Sequence, residues 1–311
     1  MPRVALAGNN LAAVYALDLL LEALSPADVL VIAPPANEHQ GWQQSLASHA
    51  TALGVDCLTP ADVNDTAVAE RVAAHGPALF LSVYYTQLFR GRLMEVIQGG
   101  ALNFHPSLLP RHRGNAPLIW AIVEGDRMTG LSVHHIDAGV DTGNVIVQRK
   151  LAIHEQDTGF VLHRKMANLV RATAAELIRD FLAGKPVPPG QEQTGHASAH
   201  SVRDPRVNHL VWSDSRERIR NIVRALAPPL PGAFSLVEGE PLVLARVDPI
   251  ETPATGARKT PGMVDVGPGS EPLVWAGNGP MRLSAVVVDG TVRPGLTLLE
   301  SGRLVEGQVL D

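Results

Sequence analysis

The residues best suited to chemistry lie in one stretch, ALNFHPSLLPRHRGNAPLIWAIVEGDRMTGLSVHHIDAGVDTGN, residues 101–144. Asn103 and His105 stand two apart at the end of an apolar run that stops at Pro106. Alternate side chains of a strand share a face, so the amide and the imidazole point the same way. Strand carboxyl ends are where open α/β sheets hold their ligands. Asp141 follows in a second loop, between Gly139 and Gly143. An amide, an imidazole and a carboxylate together make a set for acyl transfer. Asn103 and a protonated His105 would donate to an oxyanion. Asp141 would raise the imidazole pKa and accept a proton, directly or through water and His105. On residue types alone, an ordinary hydrogen-bond network at a strand end fits these residues equally well.

Other chemistries lack their signatures. The first glycine, in AGNNLAA, is not followed by G-x-G-x-x-G spacing, and there is no P-loop, H-E-x-x-H or nucleophile elbow. The chain has 12 histidines, but none has the spacing of a metal ligand set. His134 and His135 are adjacent and face opposite sides of a strand, while His196 and His200 fall in a polar stretch and read as solvated. The one cysteine, Cys57, makes neither an internal disulfide nor a Cys-based metal site and reads as a small buried residue. Trp120 reads as a core residue. Arg111 and Arg113, beside the strand end, read as anion contacts. The expectation is a site without metal or nicotinamide.

The elements that must position this set alternate. RVALAG (3–8), VLVIA (29–33), ALFLSVYY (78–85) and ALNFHP (101–106) read as buried strands, with LSVHHID (131–137) and NVIVQRKLAI (144–153) after them. Helical spacing covers 11–24, 41–53, 66–75 and 158–183. Strands alternating with helices predict a mostly parallel, Rossmann-like α/β sheet. The stretch GKPVPPGQEQTGHASAH (184–200) reads as a linker. A helix near 214–226 follows, then short strands at 233–237, 242–247, 262–266, 272–276 and 281–288, which predict a small β-rich, OB-like barrel. The expected division is a catalytic domain at 1–190, a linker at 191–204 and a β-barrel-like domain at 205–311.

Composition narrows the class. At 311 residues the chain has room for about two domains. With 45% hydrophobic and 18% charged residues it is not a disordered protein. The net charge of −5 speaks against a phosphate-backbone binder. The apolar run near residue 1 is broken by Asn9, Asn10 and Asp18, and no apolar stretch reaches the ~20 residues of a membrane span. The reading is a cytoplasmic protein with no membrane and no nucleic-acid partner; a homodimer stays open.

N-F-H-P-S-L-L-P-R-H-R-G-N-A-P, with W-A further on and D-x-G-V-D-T-G later, resembles the folate-dependent formyltransferase family. R-A-L-A-P-P-L-P-G-A-F-S (224–235), preceded by Trp212, resembles the segment that opens the second domain of two-domain members, so the resemblance spans residues 1 to about 290. LSVYYTQLF (81–89) is most similar to the formyltransferase domain of the UDP-4-amino-4-deoxy-arabinose enzyme. The resemblance implies 10-formyltetrahydrofolate as cosubstrate and a primary amine of a small molecule as acceptor. It implies Asn103, His105 and Asp141 as catalytic residues. Backbone at Gln87, Leu88 and Phe89 and the loop Asp137, Ala138, Gly139, Val140 and Asp141 would hold the pterin. Ser107, Arg113 and Gly114 would touch the acceptor. His134 matches a family histidine and reads as a buried, hydrogen-bonded strand residue. Two departures stand out: His112 replaces the family's tyrosine-like residue, and Arg206 and Val207 replace an acidic pair after Arg203 and Pro205.

The resemblance leaves the acceptor open between a nucleotide-linked amino sugar, a natural-product intermediate and methionyl-tRNA. Residues 34–50 hold no Lys or Arg where the tRNA enzymes carry a basic insertion. A formyltetrahydrofolate hydrolase and a non-catalytic folate-binding protein are further alternatives. The intact Asn103, His105 and Asp141 argue against the latter.

Overall fold

The computed structural model describes residues 1–35, 43–97, 100–200, 208–251 and 259–311. The chain divides into two compact units. One comprises Met1–Pro117, Met128–Ala152 and His163–His200; the other comprises Leu118–Arg127, Ile153–Leu162 and Ser201–Asp311.

The elements up to residue 200 are β1 (Val4–Gly8), α1 (Asn10–Leu21), β2 (Val29–Ile32), α2 (Leu46–Ala52), β3 (Asp56–Leu58), α3 (Thr66–His75), β4 (Leu79–Val83), α4 (Gly91–Ile97), β5 (Ala101–His105), β6 (Arg113–Gly114), α5 (Pro117–Val123), β7 (Met128–His135), β8 (Val145–Ala152), α6 (Gly159–Leu182) and β9 (Ala199–His200). Seven strands form one sheet in the order β3-β2-β1-β4-β5-β7-β8. The first five are parallel, and β7 and β8 are antiparallel additions. The runs VALAG, VLVI and LFLSV are buried at every position, as strands covered on both faces must be. The chain winds outward to β3 and returns to β4 on the other side of β1, which creates a switch point between β1 and β4. One core layer packs Leu30, Ile32, Phe80, Phe89 and Leu93 together. No helix among the described residues is long and apolar enough to cross a membrane.

Part of the expected linker is bound to this unit. Gln191 pairs with Val145, and β9 runs parallel to β6. The physical reason is that the Gln and Ser groups of 191–200 find main-chain partners on two neighbouring loops. Residues 201–204 fall outside the described ones.

The second unit holds α7 (Arg216–Leu226), β10 (Ala233–Val237), β11 (Glu240–Pro249), β12 (Val264–Val266), β13 (Pro272–Ala276), β14 (Gly279–Val288), β15 (Thr291–Pro294) and α8 (Leu296–Glu300). Its antiparallel sheet runs β10-β11-β14-β13-β12, with β15 on β14. Trp212 is buried there and donates its indole N–H to Ser235 Oγ at 2.9 Å. Trp120, also in this unit, is buried as a core residue would be. Helix α3 falls where the apolar spacing puts it. The short α4, α5, β15 and α8 carry too few periods for a sequence pattern to reveal them.

Candidate active site

Strand β5 presents Asn103 and His105 on one face, and its neighbour β7 sets His134 directly opposite Asn103. Because β7 runs antiparallel, its end lies beside the start of β5, and the following turn must come back along β5 to reach these residues. That turn delivers Asp141. Asn103 Nδ2 donates to Asp141 Oδ1 at 3.1 Å and reaches His134 Nε2 at 3.1 Å. Gly114 N–H donates to Asp141 Oδ2 at 2.8 Å. Asp141 adopts a left-handed backbone, φ +53, a conformation that a short polar side chain tolerates and that the surroundings must hold.

The contacts decide the protonation states. His134 Nδ1 lies 2.7 Å from the His135 carbonyl, which only an N–H can satisfy, so in the neutral ring Nε2 accepts from Asn103. His105 Nε2 likewise donates to the His112 carbonyl at 2.8 Å. Its Nδ1 then faces Asp141 Oδ2 at 3.5 Å. Burial pushes the His105 imidazole below its ordinary range; Asp141 and the His112 carbonyl pull it back only in part. Burial would raise the Asp141 carboxyl, but contact with His134, the charge of His105 and the Gly114 N–H outweigh it and lower it to about 2.

These directions bear on two expectations. Burial works against the imidazolium assigned to His105, and only Asp141 and the His112 carbonyl favour it. A carboxyl lowered to about 2 makes Asp141 a weak base for the proton-accepting role. The two groups are paired so that protonating Nδ1 creates an ion pair with a carboxylate already in place.

The remaining expected residues fall into three groups. Gly114 orients Asp141, as described. Arg113 is half-buried, and its guanidinium donates to Gln193 Oε1 at 2.7 and 3.2 Å. Ser107 is a correction: its side chain is fully buried and its hydroxyl donates to the Arg111 carbonyl at 2.7 Å, which closes the turn after β5 and leaves nothing for an acceptor.

The second group is the loop 84–90. Gln87 accepts from Val63 N–H and donates to the Ala61 carbonyl, while Asn64 grips Leu88 and Arg90. The loop is thus held from outside, and the N–H groups of Gln87, Leu88 and Phe89 donate to nothing among the described residues. Phe89 is buried against Phe80 and stacks on Tyr85. Tyr84, φ +58, carries a buried hydroxyl with no hydrogen-bond partner among the described residues. No spacing rule in the sequence marks Tyr84.

The third group is the turn itself. Asp137 accepts from Gly139 N–H and Thr142 Oγ1, Val140 is exposed, and Ala138 is exposed beside it. Gln193, which sequence reasoning missed, bonds this turn from the far side. Arg206 and Val207 lie outside the described residues.

Residues 4–177 match the formyl transferase family model, and residues 204–291 match the formyl transferase C-terminal domain. Over 304 residues the chain is 35% identical to a methionyl-tRNA formyltransferase of Anaeromyxobacter dehalogenans strain 2CP-1, covering 96% of this chain and 95% of that one. The N-formyltransferase of Helicobacter canadensis, solved with folinic acid and dTDP-3-aminofucose, superposes with a TM-score of 0.72 at 21% identity, covering 91% of this chain and 99% of the other. The methionyl-tRNA formyltransferase of Clostridium thermocellum gives 0.57 at 20% identity, with coverage of 80% and 94%. At such identities the two structures establish the fold.

Proposed function

This chain belongs to the formyltransferase family, and we propose that it moves the formyl group of 10-formyltetrahydrofolate onto a primary amine of a small molecule, with a nucleotide-linked amino sugar first among the acceptors. The observation that carries formyl transfer is the joined set of Asn103, His105 and Asp141 beside β5. A folate bound at the loop 84–90 is supported by the N–H groups of 87–89 and the buried Tyr84 hydroxyl, which have no partner among the described residues and would offer a polar edge to a heteroaromatic ring. Gln87, Leu88 and Phe89, with residues 137–141, would hold it there.

The folate would supply an electrophilic formyl carbon. His105 would take, at Nδ1, the proton that the attacking amine sheds. The imidazolium so formed would lie against the ionised Asp141, be stabilised by it, and return the proton to the departing folate nitrogen as the formyl C–N bond breaks. Asn103 spends its two N–H groups on Asp141 and His134 and would hold the carboxylate in place. Arg113 and Gly114 border the acceptor side.

The acceptor class rests on charge. Residues 34–50 hold no Lys or Arg and the chain carries −5 overall, a poor match to a phosphate backbone. The 35% identity to a methionyl-tRNA formyltransferase favours a second reading, transfer to charged tRNA. Purified protein with 10-formyltetrahydrofolate should formylate amino-sugar nucleotides faster than methionyl-tRNA, read by product mass. Faster formylation of the tRNA would replace the first reading with the second.

A further inference from the structure

Gln193 lies in the polar stretch after α6, where composition alone shows only a connector. Its amide is fully used. Nε2 donates to the carbonyls of Asp141 at 2.8 Å and Gly143 at 2.9 Å, and Oε1 accepts from Arg113 Nε at 3.2 Å and Nη2 at 2.7 Å. The two carbonyls bracket the turn in which Asp141 holds its left-handed backbone.

The neighbours of Gln193 repeat the pattern. Gln191 exchanges both main-chain hydrogen bonds with Val145, just past the turn. The Ser198 carbonyl accepts from Arg113 N–H at 2.8 Å, and the Ser198 hydroxyl accepts from His112 N–H at 2.9 Å. The segment 191–200 is therefore bonded to both loops that build the site. One carries the His112 carbonyl and Gly114 N–H, the partners of His105 and Asp141. The other carries Asp141 itself. The Gln193 side chain touches both.

We propose that Gln193 is a positioning residue: it ties the turn 141–143 to Arg113 and so holds the Asp141 carboxylate against His105 Nδ1. This rests on the functional reading above, in which that carboxylate stabilises an imidazolium. The amide suits the task because two carbonyls need donors while a guanidinium needs an acceptor. A Met of similar length supplies no donor and only a weak acceptor.

The test compares wild type, Gln193→Met and Asp141→Asn. Three titratable groups face His105: Asp141 from the turn, His134 from β7 and His112 from the segment entering β6. His134 is held in the β5–β7 ladder, so loss of Gln193 reaches His105 through Asp141 and, by way of Arg113, through the His112 carbonyl, and weakening either one lowers the imidazole pKa. The His105 imidazole pKa, followed by NMR on histidine-labelled protein, should fall by about half a unit or more in Gln193→Met, and further in Asp141→Asn. Turnover should drop about tenfold or more, with KM within about twofold. The Gly114 amide should exchange faster, since its acceptor has moved. A folded Gln193→Met protein with wild-type His105 pKa, turnover and Gly114 exchange overturns the proposal. If Gln193→Met does not fold, Gln193→Asn, one methylene too short to span both sides, is read the same way. If wild type transfers no formyl group to any acceptor, the functional reading fails, while the NMR comparison still judges Gln193.

Discussion

In the proposed function the turn at 137–143 and the loop at 84–90 would serve one site, yet their polar groups are treated in opposite ways. In the turn, both Asp141 oxygens, the Asp141 and Gly143 carbonyls and the Asp137 carboxylate all have partners within the protein. In the loop, Gln87 and Asn64 fix the path from outside, while three successive N–H groups and the Tyr84 hydroxyl are left without a protein partner among the described residues. Pre-formed hydrogen bonds belong where charge changes during a reaction, because reorganisation at that moment would raise the barrier. Unused donors belong where a ligand must be recognised, because the ligand completes them.

The largest expected effect breaks the turn. Asp141→Asn and His105→Ala should each lower turnover by ~10²-fold or more, with substrate binding changed far less. The double variant should lose little beyond either single one, because the two act as a unit. Steady-state kinetics and calorimetry check this. A His105→Ala enzyme with near wild-type turnover would erase the contrast between the regions.

The next effect concerns acid. His163 packs edge-on to the Tyr84 ring at 6.3 Å, and burial lowers its pKa to about 4. The unfolded chain binds this proton near pH 6.5. The folded state therefore keeps its stability above pH 6.5 and loses it progressively as pH falls toward 4. The loss comes to about 2–3 kcal/mol by pH 4.5. Asp141 enters the balance only below about pH 4, down to its value of about 2. Urea unfolding at pH 7 and 4.5 should show the loss in wild type and a smaller one in His163→Gln.

Smaller effects sharpen the loop. Gln87→Leu removes two bonds that hold 84–90 and should cost about 1–2 kcal/mol of stability. It should raise the KM for the folate several-fold at near wild-type turnover. Tyr84→Phe removes a hydroxyl that has no partner among the described residues, so stability should stay within about 0.5 kcal/mol while folate affinity falls by less than tenfold. A large drop in melting temperature in Tyr84→Phe would reveal a native partner and weaken the ligand-facing reading.

What the sequence made legible follows from short-range rules. Period-two alternation puts Asn103 and His105 on one face, and the burial-matched runs at β1, β2 and β4 mark a doubly covered sheet. Helical spacing locates α3 to the residue. What stayed hidden depends on distant partners. Ser107 reads as an acceptor contact, but its hydroxyl is consumed four residues away by the Arg111 carbonyl. The imidazolium assigned to His105 ignores a burial that only tertiary packing creates. Gln193 sits among Pro, Gly and Ser, and nothing local distinguishes a strap from a tether. The segments 118–127 and 153–162 join the second unit although they interrupt the first in sequence.

The bond between His112 and Ser198 joins residues 86 positions apart. On a ribosome, strands β1 to β5 emerge long before the segment 191–200 exists to bind them. Asn103, His105 and Asp141 are all synthesised by then, yet the carbonyls of Asp141 and Gly143 and the main chain at 112–114 still await their partners. Closing so distant a contact costs only slowly growing chain entropy, so its timing is set by translation more than by energy. The nascent chain carries Asn103, His105 and Asp141 for about fifty codons before it can lock them.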